Sequence, residues 1–462
     1  MATTTSPVPV RRSSLVGPLI LLLMGTVFLV SNLRPELSVW RLFAKYYPYL
    51  LILWGVARLA EYVAARATAR PIARTLTGGE VFLAIAISVC GNTASSVDRG
   101  DWRLGRLSGR GLEIFGESFD FAVQGSRTVA PNATIVINNL QGNVRVVGAD
   151  APELKVTGQK SIRSLDRAGA EQADKASALE ITEQGGSVYV KTNQDRISGE
   201  KRVSSDLVIT VPKGAALNLE GRSGDWEVKD INGQVDVNSA NAGVRLSNLG
   251  GNVRVNVRRS DVVYARSVKG NILISGRGRD VDVQDVQGTV TVDGGFSGNI
   301  KFQNVAKPVR YTSTQTDLSM ERIPGRMEME LGRLHATDIV GPFKLNTNNK
   351  DVRLEDFTRD VEITARRGDI VLRTSKAPLG NVTVESSGGN IELELPANAR
   401  FQLQATTTNG QAENEFGAAL KVERRGSTSE MRGGVAGGAQ VRLTTKRGRV
   451  VVRKMEGGVQ KD

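Results

Sequence analysis

The sequence predicts an all-β protein: a single-stranded parallel β-solenoid, β-helix-like, with coils of about 18 residues, preceded by an N-terminal transmembrane α-helical region. Three observations carry this prediction. Short apolar pairs recur about every nine residues, two kinds of turn alternate between them, and long apolar runs lie near the N-terminus. Together they indicate a repetitive stack of short strands that comes after a membrane segment.

The apolar pairs have the form Φ-x-Φ, where Φ is an apolar residue, and they run from Leu217/Leu219 to Ile391/Leu393. Apolar residues two apart lie on one face of a strand, and the turn residues between pairs end each strand. In a stack of coils, every second pair belongs to the same row. We therefore expect Val235, Val253, Ile272 and Val290 to line up in one parallel ladder.

The turns between the pairs are of two kinds. One kind reads Φ-x-Gly, and its glycine is expected to supply the positive φ of a tight reversal. The clearest examples are Ile231-Asn232-Gly233, Val268-Lys269-Gly270, Val286-Gln287-Gly288, Ile323-Pro324-Gly325 and Ile339-Val340-Gly341. The other kind places a small, glycine or acidic residue just before the strand, as in Arg367-Gly368-Asp369.

The first kind of turn sets the length of the repeat. It recurs in eight steps over the 148 residues from Ile231 to Leu379, or 18.5 residues per step. A fixed period near 20 is the signature of stacked coils. An antiparallel sandwich or barrel stays open as the alternative, because strands every 8–12 residues also suit those folds. A triangular coil with six-residue sides fits poorly, because the pairs recur at nine.

The N-terminal region contains the candidate membrane spans. Residues 1–14 form a polar tail, and residues 15–97 are predicted to hold two or three transmembrane helices. The first two spans are Leu15 to Val30 and Tyr46 to Ala65, and a third candidate begins at Val81. A buried strand is the alternative for the third. The spans predict a multi-pass protein of the bacterial cytoplasmic membrane, with the β-solenoid extracytoplasmic if there are three of them.

The rest of the chain divides by its strand pattern. Residues 98–128 are predicted to be a linker with one strand, and 129–215 an N-terminal β region with a short helical excursion over 161–179. Residues 216–400 form the regular β-solenoid, 401–454 closing coils with a loose Gly/Ser segment, and 455–462 a tail. The last pairs, Val441/Leu443 and Val450/Val452, are again nine apart and are expected to close the stack.

Charge and rare residues limit the chemistry. The formal charge is +13, and residues 1–97 hold nine basic against three acidic groups, which leaves 52 basic and 45 acidic groups beyond them. The signs of those later charges are interspersed, and no sequence block forms a basic stripe, so we expect no nucleic-acid partner. Cys90 is the one cysteine and His335 the one histidine. No disulfide, cysteine metal cage or histidine cluster can therefore form within the chain.

Several stretches of the repeat resemble a known bacterial family. They are Ser223-Gly224-Asp225-Trp226-Glu227-Val228, Asn139-Leu140-Gln141-Gly142-Asn143-Val144-Arg145-Val146, Arg367-Gly368-Asp369-Ile370-Val371-Leu372 and Thr445-Lys446-Arg447-Gly448-Arg449-Val450. They look like the units of the putative adhesin family of β-strand-repeat proteins, over residues 112 to 454. The N-terminal stretches 17–23 and 47–55 resemble the LiaI-LiaF-like transmembrane region, which is linked to envelope-stress sensing. Neither resemblance brings a catalytic motif.

Individual candidate sites have simpler explanations. Arg367-Gly368-Asp369 matches an adhesive tripeptide, but the same slot elsewhere holds Ser223-Gly224-Asp225, which favours a turn. Asp280, Asp282 and Asp285 lack the repeat of calcium-binding β-helices. His335 is expected at the surface, and Gly250-Gly251 lacks the Lys-Ser/Thr of a phosphate loop. Scattered carboxylates and few aromatic residues disfavour a polysaccharide-cleaving site. We therefore predict no catalytic, cofactor-binding or metal-binding residues and no cofactor.

The resulting hypothesis is a membrane-anchored, non-enzymatic β-solenoid that acts as a cell-envelope binding module with an adhesin-like role. Its expected partners are the lipid bilayer and an unidentified envelope protein or glycan. The sequence leaves two alternatives open. One is an envelope scaffold that self-associates end to end, because solenoid tips carry unpaired strand edges. The other is an envelope-stress regulator that acts through its transmembrane helices.

Overall fold

The computed structural model describes residues 117–197, 202–376 and 379–455. The chain separates into two compact units, Met1–Ile114 and Phe115–Asp462. The first unit, with the predicted polar tail and membrane segments, lies outside the described residues, as do the first residues of the second unit. The described residues all belong to the second unit.

The described residues are mostly β. They contain one α-helix, α1 (Arg167–Ala176), and a short 3-10 helix at Gln194–Arg196. The strands are β1 (Glu117–Thr128), β2 (Thr134–Gln141), β3 (Val144–Ala149), β4 (Glu153–Ser164), β5 (Glu180–Gln184), β6 (Ser187–Lys191), β7 (Arg202–Pro212), β8 (Ala216–Ser223), β9 (Trp226–Ile231), β10 (Val235–Asn241), β11 (Val244–Leu249), β12 (Val253–Val268), β13 (Ile272–Val286), β14 (Val290–Phe296), β15 (Ile300–Val305), β16 (Val309–Thr312), β17 (Thr316–Met329), β18 (Arg333–Asn349), β19 (Asp351–Arg367), β20 (Ile370–Arg373), β21 (Leu379–Ser386), β22 (Ile391–Leu395), β23 (Phe401–Asn409), β24 (Ala412–Glu415), β25 (Leu420–Arg425), β26 (Thr428–Gly434), β27 (Ala439–Arg447) and β28 (Val450–Lys454).

Successive windings pair in two ladders. In ladder A, Val235 pairs with Val253, Val253 with Ile272, and Ile272 with Val290, all in parallel register. The predicted single ladder of these four residues is confirmed. Ladder B is formed by the apolar pairs that lie between those of ladder A in the sequence. It has the same parallel register, for example between Val281 and Ile300. The long strands β12, β13, β17, β18 and β19 bend and contribute to both ladders.

The two ladders enclose one core. Along β12 burial alternates residue by residue, with Val253, Val255 and Val257 inside and their neighbours outside. Val255 and Ile274 are fully buried, and a single apolar cluster runs from Val123 to Val452. Each buried valine, leucine or isoleucine contributes about 1.5–3 kcal/mol relative to an exposed one. A single winding cannot bury its apolar face alone, so the stack supplies most of the stability.

Two edges connect the ladders. Edge 1 is defined by the segments after the ladder A strands, such as 258–261, 277–280 and 366–369; edge 2 is defined by the segments after the ladder B strands, such as 230–233 and 248–251. Edge 2 contains eight of the nine described non-glycine residues with left-handed backbone: Asp230, Asn248, Ser267, Asp285, Asn304, Asp338, Asp356 and Arg359, all with φ between 50° and 66°. Asn248 donates to the Asp230 carboxylate, and Asn304 donates to that of Asp285 at 2.9 Å.

The expected role of the Φ-x-Gly glycines is therefore wrong at most positions. Of the five predicted, only Gly341 has positive φ, at 95°. The others are needed for close approach between windings. A Cβ on Gly270 would lie 2.2 Å from the carbonyl oxygen of Gly251, and one on Gly288 would lie 2.1 Å from that of Gly270. A side chain at these positions would push adjacent backbones apart.

The stack is not uniformly parallel, which corrects the predicted fold. Strand β17 runs antiparallel to β15 and β16 before it and to β18 after it. Two tight hairpins on edge 1 make this reversal. The Ser313 N–H donates to the Thr316 carbonyl at 2.8 Å, and the Glu330 N–H donates to the Arg333 carbonyl at 2.8 Å. The winding formed by β17 therefore runs in the opposite direction to the parallel windings on either side of it.

Both ends of the stack differ from a simple succession of coils. At the N-terminal end, β6 and β7 lie outside β2 and β3, and α1 packs Ala170 and Ala173 against Ile162 and Val203. At the C-terminal end, β27 lies between β21 and β23, and β28 lies between β22 and β24. The expectation that the last pairs close the stack is wrong. The outermost winding is β23 and β24, and the predicted loose segment forms the antiparallel hairpin β25–β26 beside β23.

The structure contradicts the predicted multi-pass membrane localisation. Throughout residues 117–197, 202–376 and 379–455, no helix combines the length and the apolar character needed to cross a bilayer. The segments within 15–97 on which that prediction rested lie outside the described residues.

Candidate functional site

Edge 1 brings together arginines that are far apart in the sequence. Val257 of β12 pairs with Gly276 of β13, and Arg258 and Arg277 follow them directly, so these two side chains leave adjacent windings at the same position. Arg259 and Arg279 extend from the same two turns. Arg222 lies two windings earlier, because Asn241 pairs with both Ser223 and Arg259.

These five arginines are exposed and carry no ion pair within the described part of the chain. The outer face of ladder B is different, because its charges are matched across windings. Arg145 lies 2.7 Å from Glu227, and Arg373 lies 3.3 Å from Glu394. The outer face of ladder B therefore lacks the uncompensated positive charge of these five arginines.

A second basic group lies further along the same edge. Ala365, Ser386 and Thr445 are consecutive partners in ladder A, and the residues that follow the first and last of them are Arg366-Arg367 and Lys446-Arg447. All four of these basic side chains are exposed, and none forms an ion pair with a described residue. The neighbouring Arg449 differs, since it lies 3.4 Å from Glu413.

A cavity separates the two basic groups. Its volume is about 210 Å³, and its walls come from the turn after β14 and from both hairpins of the reversed strand β17. Phe296 and Tyr311 form a buried apolar wall, while Thr314 and Gln315 are exposed at the rim. The reversal of one winding thus creates a notch in an otherwise continuous edge.

Lys350 lies at the bottom of this notch. Its ammonium donates to the carbonyl oxygens of Glu330 and, at 3.0 Å, of Leu331, both in the second hairpin. Within the described residues it has no carboxylate partner, and burial lowers the pKa of Lys350 below its ordinary value. Burial raises the pKa of Tyr311, although a hydrogen bond with Ser313 opposes this. The ammonium holds the hairpin in place.

The carboxylates of edge 1 serve the backbone. The Asp351 carboxylate accepts the N–H of Asp369 at 2.9 Å, and Asp369 accepts the N–H of Asn390 at 2.8 Å. Asp280 accepts the N–H of Asn299 at 2.8 Å in the same manner. Gly368 has φ of 119° in this turn. The structure thus places Arg367-Gly368-Asp369 in a stacked turn whose aspartate holds the next winding.

The other candidates from the sequence are not brought into one site. Asp282 contacts Gln284 at 2.8 Å on ladder B, whereas Asp285 accepts from Asn304 on edge 2. The described residues contain no group of three His, Cys, Asp or Glu suited to a metal ion. His335 lies partly exposed, with its Nε2 3.3 Å from Glu355. Gly251 belongs to the close contact between windings on edge 2.

The basic edge was missed at the sequence level because no stretch of the chain is basic by itself. Arg258 and Arg277 are 19 residues apart, which is one winding. Counting charges at equal positions of the repeat, instead of along the chain, would have found the row.

Known proteins resemble this chain over its β-rich part. The sequence profile of the Toastrack DUF4097 family matches residues 132–453. A structure of a putative cell adhesion protein from Clostridium sporogenes shows 8% identity and a TM-score of 0.18, and the match covers 73% of this chain and 100% of that one. A putative adhesin from Bacteroides fragilis shows 10% identity and a TM-score of 0.16, with 72% and 97% covered. No curated protein matches the chain.

Proposed function

This chain belongs to the Toastrack DUF4097 family, and from that premise we propose that it is a non-enzymatic β-solenoid binding module with an adhesin-like role at the bacterial cell envelope. The observation that carries the proposal is the row of unpaired basic side chains on edge 1. Uncompensated, exposed charge on a rigid support is typical of a surface that recognises a partner of opposite charge.

The rigidity of the support comes from the stack. Backbone hydrogen bonds join each winding to the next, and edge carboxylates and amides add a further bond. The Asn252 side chain accepts the N–H of Asn271, and the Asn271 side chain accepts that of Thr289, each at 2.9 Å. Edge 1 has the same arrangement at Asp351 and Asp369. A binding surface that is ordered before its partner arrives loses little conformational entropy on binding.

The non-enzymatic part of the proposal is supported by the roles of the edge carboxylates. Hydrolysis of a glycosidic bond uses two carboxyl groups, one of them acting as an acid. Asp280, Asp351 and Asp369 each accept a backbone N–H from the next winding. Each of these carboxylates therefore acts as a structural hydrogen-bond acceptor between two windings.

The proposal is tested by binding of the labelled 462-residue chain to isolated bacterial envelope fractions. We expect saturable binding and no release of new reducing ends from the envelope polysaccharides. Periodate treatment of the fractions destroys glycans, and protease treatment removes proteins, so the pair of treatments identifies the kind of partner. Absence of saturable binding overturns the binding role, and release of reducing ends overturns its non-enzymatic character.

End-to-end self-assembly has less support than partner binding. Strand β25 lies at the C-terminal end of ladder A and exposes Lys421, Glu423, Arg424 and Arg425 along its length. Charged side chains on an edge strand oppose pairing with another chain. Sedimentation of the chain over a wide concentration range tests this alternative, because a scaffold would form oligomers of increasing size.

A further inference from the structure

We propose that edge 1 binds a linear acidic polysaccharide, a glycan chain that carries carboxylate or sulfate groups, laid along the stack. This inference rests on the proposed binding function and specifies its ligand class. The contact residues are the two basic groups on either side of the notch. The first group is Arg222, Arg258, Arg259, Arg277 and Arg279, and the second is Arg366, Arg367, Lys446 and Arg447.

The spacing of the cations suits a polymer that repeats along one direction. Arg258 and Arg277 leave adjacent windings, which are separated by about 4.8 Å in a sheet. Arg222 lies two windings from Arg258, so its Cα lies about 10 Å further along the edge. Backbone pairing of the windings sets the order of these arginines along the edge, with one register shift between Val257 and Ser260. A guanidinium group binds carboxylate and sulfate oxygens through two parallel hydrogen bonds.

The electrostatic balance of the edge also points to an anionic ligand. Two like charges about 5 Å apart repel each other by roughly 1 kcal/mol in water. Around Arg258 and Arg277 the nearby acids are Asp261 and Asp280, and the second of these accepts the backbone N–H of Asn299. No described acid forms an ion pair with either arginine. A ligand with several anionic groups would relieve this repulsion at many windings at once.

The notch between the basic groups offers polar contacts that a sugar can use. Thr314 and Gln315 are exposed at its rim, and their side chains can exchange hydrogen bonds with hydroxyl groups. Lys350 adds a buried positive charge beneath them. The notch lies on the line that joins the two basic groups, so one chain can contact all three.

Single-stranded nucleic acid and a membrane surface fit the edge less well. Proteins that bind single strands stack the bases on aromatic side chains. The aromatic residues described at edge 1, Phe296 and Tyr311, are buried at 7% and 3% exposure and cannot serve as a platform. Docking on a bilayer buries an apolar face, whereas Leu331 is the one large exposed apolar residue among those described on this edge.

The test compares the wild-type chain with the R258E/R277E variant and with the charge-matched R310E/R442E variant. Arg310 and Arg442 are exposed on the outer face of ladder A and are not part of edge 1, and neither forms an ion pair among the described residues. The probes are heparin, polygalacturonate, neutral dextran, a single-stranded oligonucleotide and vesicles with anionic lipid. Thermal melting confirms that all three proteins are folded.

We expect both acidic glycans to bind the wild type with an affinity that falls as salt rises, because counter-ions are displaced. R258E/R277E should weaken this binding about tenfold or more, R310E/R442E about threefold or less, and dextran should not bind. Equal losses in both variants overturn the inference, since net charge alone would then explain binding. So does an oligonucleotide or vesicle affinity above that of the glycans, or no glycan binding at all.

Failure of this inference is distinguishable from failure of the proposed function. If the chain binds envelope fractions and R258E/R277E binds them equally well, the binding module stands and edge 1 is not its site. If the chain binds heparin through edge 1 but no envelope fraction, the site stands and the envelope role is wrong.

Discussion

The Asp369 carboxylate accepts the backbone N–H of Asn390 at 2.8 Å, one winding further along the stack. This contact assigns the aspartate of Arg367-Gly368-Asp369 to the turn. We expect D369A to lower the free energy of unfolding by about 1 kcal/mol, because the N–H loses its acceptor. D369N keeps an acceptor oxygen and should stay close to the wild type in chemical denaturation.

The same pair of variants tests the adhesive tripeptide. If the tripeptide were the adhesive element and bound its receptor through the charged aspartate, both D369A and D369N would abolish cell attachment. A structural role predicts that D369N attaches as well as the wild type does. Loss of attachment in D369N with unchanged stability would show that the tripeptide is itself an adhesive element.

Gly251 lies where the backbones of two adjacent windings come too close to leave room for a side chain. Its added Cβ would lie 2.3 Å from the carbonyl oxygen of Gly233, a distance that forces two backbones apart. We expect G251A to destabilise the protein by about 2 kcal/mol or more. G332A is the matched control, because nothing lies within 4 Å of a Cβ at Gly332. Its effect should stay within about 0.5 kcal/mol in urea denaturation. Equal effects of the two substitutions would show that the windings can separate freely.

The ladders could be predicted from the sequence because the repeat determines which residues become neighbours. Val253 and Ile272 are one period apart and both lie inside, so their pairing follows from the pattern. The direction of each strand cannot be predicted from the same pattern. A Φ-x-Φ pair reads the same in both directions, so Leu318/Met320 and Met327/Met329 fit a parallel and a reversed winding equally well. The step between Φ-x-Gly turns does shorten here, to 16 residues from Ile323 to Ile339, but a shorter step does not specify strand direction.

The candidate site likewise has one feature that the sequence predicts and two that it does not. The turn character of Arg367-Gly368-Asp369 was predictable from the equivalent slot at Ser223-Gly224-Asp225. The basic edge depends on which turns face the same side of the stack, and the notch at Lys350 depends on the reversal of β17. Neither property is contained in a local stretch of sequence, because both arise from pairing between windings.

Lys350 makes stability depend on pH. Its pKa is lowered in the folded chain by burial, whereas the unfolded chain has the ordinary value of 10.5. Between those two values the unfolded state binds more protons than the native state, so stability rises with pH in that window. Below the lowered pKa both states are protonated and the slope vanishes.

We therefore expect the stability of the wild type relative to K350M to increase as pH approaches 10.5 from below. Tyr311, whose raised pKa gives an opposite trend above its ordinary value of 10.0, is present in both proteins and cancels in the comparison. K344M serves as control, since Lys344 is exposed and paired with Glu362 at 2.9 Å. Urea denaturation at several pH values measures the difference. A constant difference between wild type and K350M would show that the ammonium is not desolvated.

The position of β27 gives the sharpest test of the order of windings. Because β27 lies between β21 and β23, and β28 lies between β22 and β24, deleting residues 438–462 removes a layer from inside the stack. Strand β23 then loses its parallel partner, and β25–β26, which pair through it, lose their support. We expect hydrogen–deuterium exchange to accelerate throughout 401–434, although those residues are still present. Truncation after Met455, which keeps both strands, should leave 401–434 protected. If 401–434 stays protected in the longer deletion, β23 pairs with β21 directly and the final coil is only appended, as its place in the sequence suggests.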